Sequence, residues 1–296
     1  MITDAHAHLF HPSWYPRPFL EAVGRSYAAR RKAAAGSHPD PAAVQQLYRM
    51  LTDAAGDMTI RIMDQAGIDR KVIHVIDWGV ELGEPEKSIR DIHREILGIC
   101  RRFPDRLVGF AGVDPRRKDA LPLLEWAIES LGARGLKLHP TGAWSLSDPG
   151  TREVVGAVAA RHLPVMVHVG KTVDVLSDRN STPAAFLQLA RSFPESVFIA
   201  GHSGFDSWEI FAGTTDLPTN VYFDVSGWQE RSRGDGSALV AEVEALHRAF
   251  PKRVFFGTDS PFYGFNLIPA EKLWVQRIAL PFAHKWADLD LSVSSV

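Results

Sequence analysis

The segment Asp4-Ala5-His6-Ala7-His8 sets two imidazoles one residue apart in a stretch with strand character. Alternate residues of a strand face the same way, so His6 and His8 would point together. Imidazole is a common ligand for zinc and a good one for iron, copper or nickel, which makes the pair a candidate metal clamp. The same pattern also fits two surface histidines near a chain end, so the rest of the chain has to decide. Further chemistry-bearing residues close short apolar runs. His168 ends Val165-Met166-Val167-His168, His202 ends Val197 to His202, and Asp259 ends Val254 to Asp259. Lys137 and His139 close a fourth run, Asp77 follows another, and Asp224 stands near the end of Val221 to Val225. Three or four nitrogen donors with a carboxylate suit zinc or another first-row ion, provided the fold brings them together.

The elements carrying these residues alternate. Eight short runs rich in β-branched and aromatic residues recur, beginning at Ile2, Val72, Leu107, Gly135, Val165, Val197, Val221 and Val254. Most are continuously apolar, which suits strands of a parallel sheet buried on both faces. Between them lie segments with i, i+3, i+4 apolar spacing: Ile89, Ile92 and Ile96; Leu121, Leu124 and Ile128; Leu239, Val243 and Leu246. Eight strand–helix units predict an α/β fold, a (β/α)8 TIM barrel forming a single domain over residues 1–296. A doubly wound open sheet is the alternative, but its Gly-x-Gly-x-x-Gly turn is missing from the sequence. In a barrel, residues at the C-terminal ends of the strands converge on one site. Residues 9–56 form a long insertion after strand 1, rich in proline, expected to hold two short helices and to lie over that face as a lid or substrate wall.

Composition narrows the function classes. The formal net charge of −2 gives no global pull toward nucleic acid or a membrane surface. With Cys100 as the single cysteine, no internal disulfide can form; this suits a reducing cytoplasm, and a buried, inert thiol is expected. No apolar run reaches membrane-spanning length, and no targeting segment is expected.

Taken in order, Asp4-Ala5-His6-Ala7-His8, Gly112-Val113-Asp114-Pro115-Arg116, Gly135-Leu136-Lys137-Leu138-His139-Pro140, Pro164 to Gly170, Ala200-Gly201-His202-Ser203-Gly204 and Phe256-Gly257-Thr258-Asp259-Ser260-Pro261 resemble the amidohydrolase superfamily. The resemblance is to its amidohydrolase-2 branch, which includes aminocarboxymuconate semialdehyde decarboxylase-like enzymes. It runs to about residue 280 and says little about substrate. It implies His6, His8 and His168 as metal ligands and Asp259 as a further ligand that takes a proton from water. His202 would polarise water and substrate or bind a second ion. Lys137, a bridging carboxylated residue in some binuclear relatives, would here anchor substrate or serve structure, with His139 and Asp77 as further candidates for a second metal or substrate. Asp4 would orient a histidine. One or two divalent ions are implied, zinc first, with manganese and iron also suited. Homodimers are common in that family, so the resemblance admits one. One departure is the C-terminal segment Leu280 to Leu291, which lacks the family's Asn-Ala pair.

Trp14, Trp78, Trp144 and Trp228, with Phe10, Phe262, Tyr263 and Phe265, fall in segments that a barrel would place around the site, and are read as walls for an apolar substrate. Arg25, Arg30, Arg31, Lys32, Lys171, Arg179, Arg231 and Arg233 supply cations there, with Arg179 taken into the pocket as an anion anchor for a carboxylate or a carrier such as coenzyme A. Together these features predict a metal-dependent hydrolase of an ester, lactone, thioester or amide on a small, apolar, anion-bearing molecule. A non-oxidative decarboxylase using the same site is the first alternative. A non-haem iron oxygenase, mono- or diiron, is the second.

Overall fold

A computed structural model describes residues 1–35, 41–231, 236–262 and 267–288. Arg233, Tyr263 and Phe265 lie outside the described residues, as do the side chains of Arg30, Arg31 and Lys32. The elements run β1 (Thr3–Ala7), α1 (Arg17–Ala35), α2 (Pro41–Leu51), α3 (Asp57–Ala66), β2 (Arg70–His74), α4 (Gly79–Leu82), α5 (Ile89–Arg102), β3 (Leu107–Gly112), α6 (Ala120–Glu129) and β4 (Leu136–Leu138). They continue with α7 (Pro149–Ala159), β5 (Val165–His168), α8 (Pro183–Ser192), β6 (Phe198–Gly201), α9 (Trp208–Ala212), β7 (Val221–Asp224), α10 (Ser237–Ala249), β8 (Val254–Phe255) and α11 (Leu267–Trp274). All eight strands are parallel, each paired with the next in sequence. A bridge from Ala7 to Ser260 and backbone bonds from Ala5 N to Phe256 O and Asp259 N to His6 O, 2.8 and 2.7 Å, draw β1 against the last strand. The result is the TIM barrel that the strand pattern predicts.

The helices form where the sequence dictates. In α5, Ser88 caps the first turn by accepting from Asp91 N at 3.1 Å, and Arg101 and Arg102 occupy the last turn, where the helix dipole favours cations. Its inner face buries Ile89, Ile92, Ile96, Leu97 and Ile99, each worth about 1.5–3 kcal/mol when fully removed from water. Thr182 caps α8 in the same way, with Pro183 at the first helical position. Gly112 is required where β3 passes β2, because a Cβ there would lie 1.9 Å from Val75 O.

Inside the barrel, Ala5, Val72, Phe110, Met166, Ile199 and Phe255 form a compact apolar plug. Two residues further along the same strands, and so on the same inner face, stand His74, His168 and Gly201. The polar site therefore sits directly on an apolar layer.

The insertion holds more helix than its sequence suggests: α1 spans 19 residues and α2 11. Phe10, Tyr15, Phe19, Trp78 and Phe262 pack in one cluster, with Phe19 and Trp78 ring centres 4.5 Å apart, fixing the insertion over the barrel. At the far end of the chain α11 is anchored by a buried trio: Lys71 Nζ lies 2.7 Å from Glu271 and 3.2 Å from Asp4. Among the described residues no helix is long and apolar enough to cross a membrane. Cys100 is buried, and burial pushes its thiol up to about 12, so it stays protonated.

Candidate metal centre

His6 and His8 leave β1 beside Asp259, which follows β8. His8 Nε2 lies 3.1 Å and His6 Nε2 3.7 Å from Asp259 Oδ1. These three side chains are buried, and their ligand atoms fall within 4.8 Å of one another. His168 at the end of β5 and His202 after β6 complete the ring, His168 Nδ1 lying 3.1 Å from His202 Nε2. Asp259 and His202 both adopt left-handed backbone conformations, φ 53° and 61°, which non-glycine residues rarely hold.

The partners of the outer nitrogens fix the tautomers. His8 Nδ1 donates to His74 O at 2.9 Å, His202 Nδ1 to Ser226 O at 3.0 Å, and His168 Nε2 to Lys171 O at 2.8 Å. Carbonyls only accept, so each of these nitrogens carries the proton. His6 Nδ1 faces the Asp224 carboxylate at 3.0 Å in the same role. The inner nitrogens of all four rings are then bare lone pairs. Three of them are opposed: His8 Nε2 faces the Asp259 carboxylate at 3.1 Å, and His168 Nδ1 and His202 Nε2 face each other at 3.1 Å, repulsive arrangements that a cation placed between the donors converts into ligation. Outer-nitrogen bonds to carbonyls and carboxylates are also how proteins orient metal-binding histidines. His6, His8 and Asp259 fit a first-row divalent ion and would hold it, while His168 and His202 line the same floor beside them.

Burial, followed by the charge of Lys137 or neighbouring imidazoles, pushes His6, His139 and His202 well below the usual histidine range and His168 down to about 3. The rings stay neutral, as ligation requires. Lys137, on β4, donates to His6 Nε2 at 2.8 Å; burial pulls its amine down to about 8 against the opposing charges of Asp259 and Asp224. Asp224 is pushed up to about 7 by burial, offset in part by its bonds to Ser226 and by Lys137.

A cavity of about 830 Å³ opens above this centre. His6, His8, Lys137, His139, His168, His202 and Asp259 line its floor, and Phe19, Val23, Ile76, Trp78, Phe205 and Phe262 its walls. His139 stacks on His168 at 4.2 Å, and Phe205 on His202 at 4.5 Å.

Several residues chosen from sequence lie elsewhere. Asp77 is locked by Arg117, whose Nε and Nη2 reach its carboxylate at 2.6 and 2.7 Å, and it accepts from Asp114 N, so it does not join the centre. Of the four tryptophans only Trp78 lines the cavity. Trp14 donates to Glu95 outside it, and Trp144 is buried in the core. Trp228 lies behind His202, donating to its carbonyl at 2.8 Å. Arg179 stands on a short 3-10 turn and does not line the cavity. Lys171 and Arg231 do line it, but with carboxylate partners.

Sequence reasoning missed Ser226 and Phe205. Ser226 is fully buried, and its Oγ lies 2.8 Å from His6 Nδ1 and 2.9 Å from His202 Nδ1, tying two candidate ligands together. Its place two residues beyond Asp224 was the available signal. Phe205 reaches His202 through the tight His202-Ser203-Gly204-Phe205 turn, visible only once positive φ values at Ser203, Gly204 and Phe205 are known.

The amidohydrolase family profile matches residues 3–291. No curated protein matches the sequence significantly. Among solved structures, an uncharacterised TIM-barrel protein from Bordetella bronchiseptica superposes with a TM-score of 0.64 at 18% identity, over 93% of this chain and 90% of that one. A dihydroxybenzoic acid decarboxylase from Polaromonas sp. JS666, with bound manganese and 2-nitroresorcinol, gives 0.60 at 18% identity over 93% and 90%. A probable 2-pyrone-4,6-dicarboxylic acid hydrolase from Acinetobacter baumannii, with citric acid bound, gives 0.56 at 16% identity over 95% and 99%. At these identities the likeness is one of fold, whereas the family profile spans nearly the whole sequence: the chain belongs to the amidohydrolase family, in its amidohydrolase-2 branch.

Proposed function

We propose that the protein is a metal-dependent hydrolase acting on the ester, lactone, thioester or amide carbonyl of a small molecule with an apolar body. The observation that carries this reading is the buried group of His6, His8 and Asp259, with the His168–His202 pair beside it on the floor of the same cavity. When bound, a divalent ion supplies Lewis acidity and a water acidic enough to attack near neutral pH. Asp259, beside His8, would take a proton from the attacking water and pass it to the leaving group. Lys137 Nζ places an N–H donor on the floor for the carbonyl oxygen as negative charge develops. Asp224 and Ser226 hold His6 and His202 in the ligating tautomer. The aromatic walls keep water from the apolar body while the carbonyl lies on the floor.

A second reading, non-oxidative decarboxylation at the same centre, is supported by the manganese-bound decarboxylase of the same fold and by walls that suit an aromatic acid. Turnover of aryl esters and lactones against hydroxylated aryl carboxylates, with acid release and CO2 release measured separately, decides between them. Acid release that stops on chelation and returns with zinc or manganese supports hydrolysis. CO2 release alone replaces it with decarboxylation, and turnover indifferent to chelator contradicts both.

A further inference from the structure

The rim of the cavity carries charges that the reaction does not use, and they cancel. Lys171 bonds Asp206. Arg231 bonds Glu242, approaches Asp206 at 3.6 Å, donates to Phe205 O at 3.3 Å and stacks over Trp228 at 4.7 Å. Asp174 pairs with Arg25 of α1 at 2.9 Å. Among the described residues, every cation at the rim therefore has a carboxylate partner. The floor differs: Lys137 is fully buried and has no carboxylate within ion-pair distance among the described residues, bonding His6 instead.

From this distribution we infer that the ligand of the cavity carries charge at its reacting end only, and that the rest is largely apolar and uncharged: a monoacid or its ester, not a diacid and not a phosphate-bearing carrier. The inference rests on the reading that the reacting group lies on the histidine–aspartate floor. An anion at the floor meets Lys137 in a dry site, where charge interactions are strong. A second anion at the rim meets three carboxylates already present, and would have to displace one of them to gain a cation. Arg231, three-quarters buried and bonded on several sides, has least freedom to respond. The walls between are mostly apolar, Phe19, Val23, Ile76, Trp78, Phe205 and Phe262, which reward apolar area, with the hydroxyls of Ser26 and Thr172 as uncharged polar groups in the lining.

The test is calorimetric binding of two rigid probes to the zinc- or manganese-loaded protein. 4-Phenylbenzoate has one carboxylate, and biphenyl-4,4′-dicarboxylate has the same frame with a second carboxylate at the far end. The monoanion is expected to bind at least tenfold more tightly. In Asp206→Asn, an exposed position whose change releases Lys171, the dianion should gain at least threefold while the monoanion is unchanged. Equal binding, tighter binding of the dianion, or binding of neither probe overturns the inference. Activity does not enter this readout. A protein that prefers the monoanion but hydrolyses nothing keeps the charge rule and loses the hydrolase reading, whereas a chelator-sensitive hydrolase that prefers the dianion does the reverse.

Discussion

At the scale of single residues, the centre depends on which nitrogen of each imidazole carries the proton. Replacing His6, His168 or Asp259 by Ala should lower metal content or activity by orders of magnitude while circular dichroism stays native; full activity in any two of these variants would sink the site as drawn. Ser226→Ala is a finer probe. Its hydroxyl touches His6 and His202 but lies behind both, so its removal should weaken metal affinity about 10- to 100-fold, the usual effect of losing a group that orients ligands. Metal titration checks this, and wild-type affinity would mean that Asp224 and the Ser226 carbonyl suffice. The residues at strand ends were legible in the sequence because the barrel fixes where strand ends go: His6, His8, Lys137, His139, His168, His202 and Asp259 all line one cavity. Asp77 was misread because its partner, Arg117, lies 40 residues away, beyond what local pattern can show.

At the scale of elements, α11 is held to the barrel by charges out of water. Lys71 is fully buried between Asp4 and Glu271, and their charges keep its amine above the ordinary lysine range despite burial. Lys71→Met should cost about 3–5 kcal/mol, since it leaves two buried carboxylates without a counter-charge. Urea unfolding measures it, and a loss under about 1 kcal/mol would show that the carboxylates find other partners. By contrast Arg25→Ala, which cuts the exposed pair joining α1 to Asp174, should cost no more than about 1 kcal/mol. Most of the eight strands were readable as short apolar runs, whereas β1, Thr3–Ala7, was readable from its paired histidines. The tryptophans were not: Trp14, Trp144 and Trp228 follow strand ends as Trp78 does, yet an indole after a strand can turn toward the cavity or the helix layer with the same sequence signature. Packing alone decides it, as when Trp228 reaches back to the His202 carbonyl.

At the scale of the whole molecule, the site makes the fold acid-sensitive. His6, His74, His139 and His202 are held well below their ordinary value and His168 falls to about 3, burial being the main cause in each. In the unfolded chain these rings take up protons below about pH 6.5, whereas folded they remain neutral. Their contribution is complete above that pH and is lost as pH falls toward the folded values, by about 1.4 kcal/mol per pH unit for each ring protonated only when unfolded. Asp224, raised to about 7, and Glu271, also raised by burial, act in the opposite sense, their contributions being lost as pH rises, but burial lowers His93 and His247 as well, so they are two groups against seven. Stability should therefore begin to fall near pH 6.5; a denaturant midpoint flat down to pH 4.5 would contradict the neutral assignments. The barrel was legible from eight regular repeats. The rim ion pairs were not, because they join the insertion and the segments after β5, β6 and β7, which only closure of the barrel makes neighbours. The central claim is that this chain is built around a metal. The most direct test is elemental analysis of protein purified without added metal, beside His6→Ala and Asp259→Ala. At least one divalent ion per chain in the parent, depleted in both variants at unchanged fold, is the expected result. A parent free of metal that binds neither zinc nor manganese on titration would contradict it.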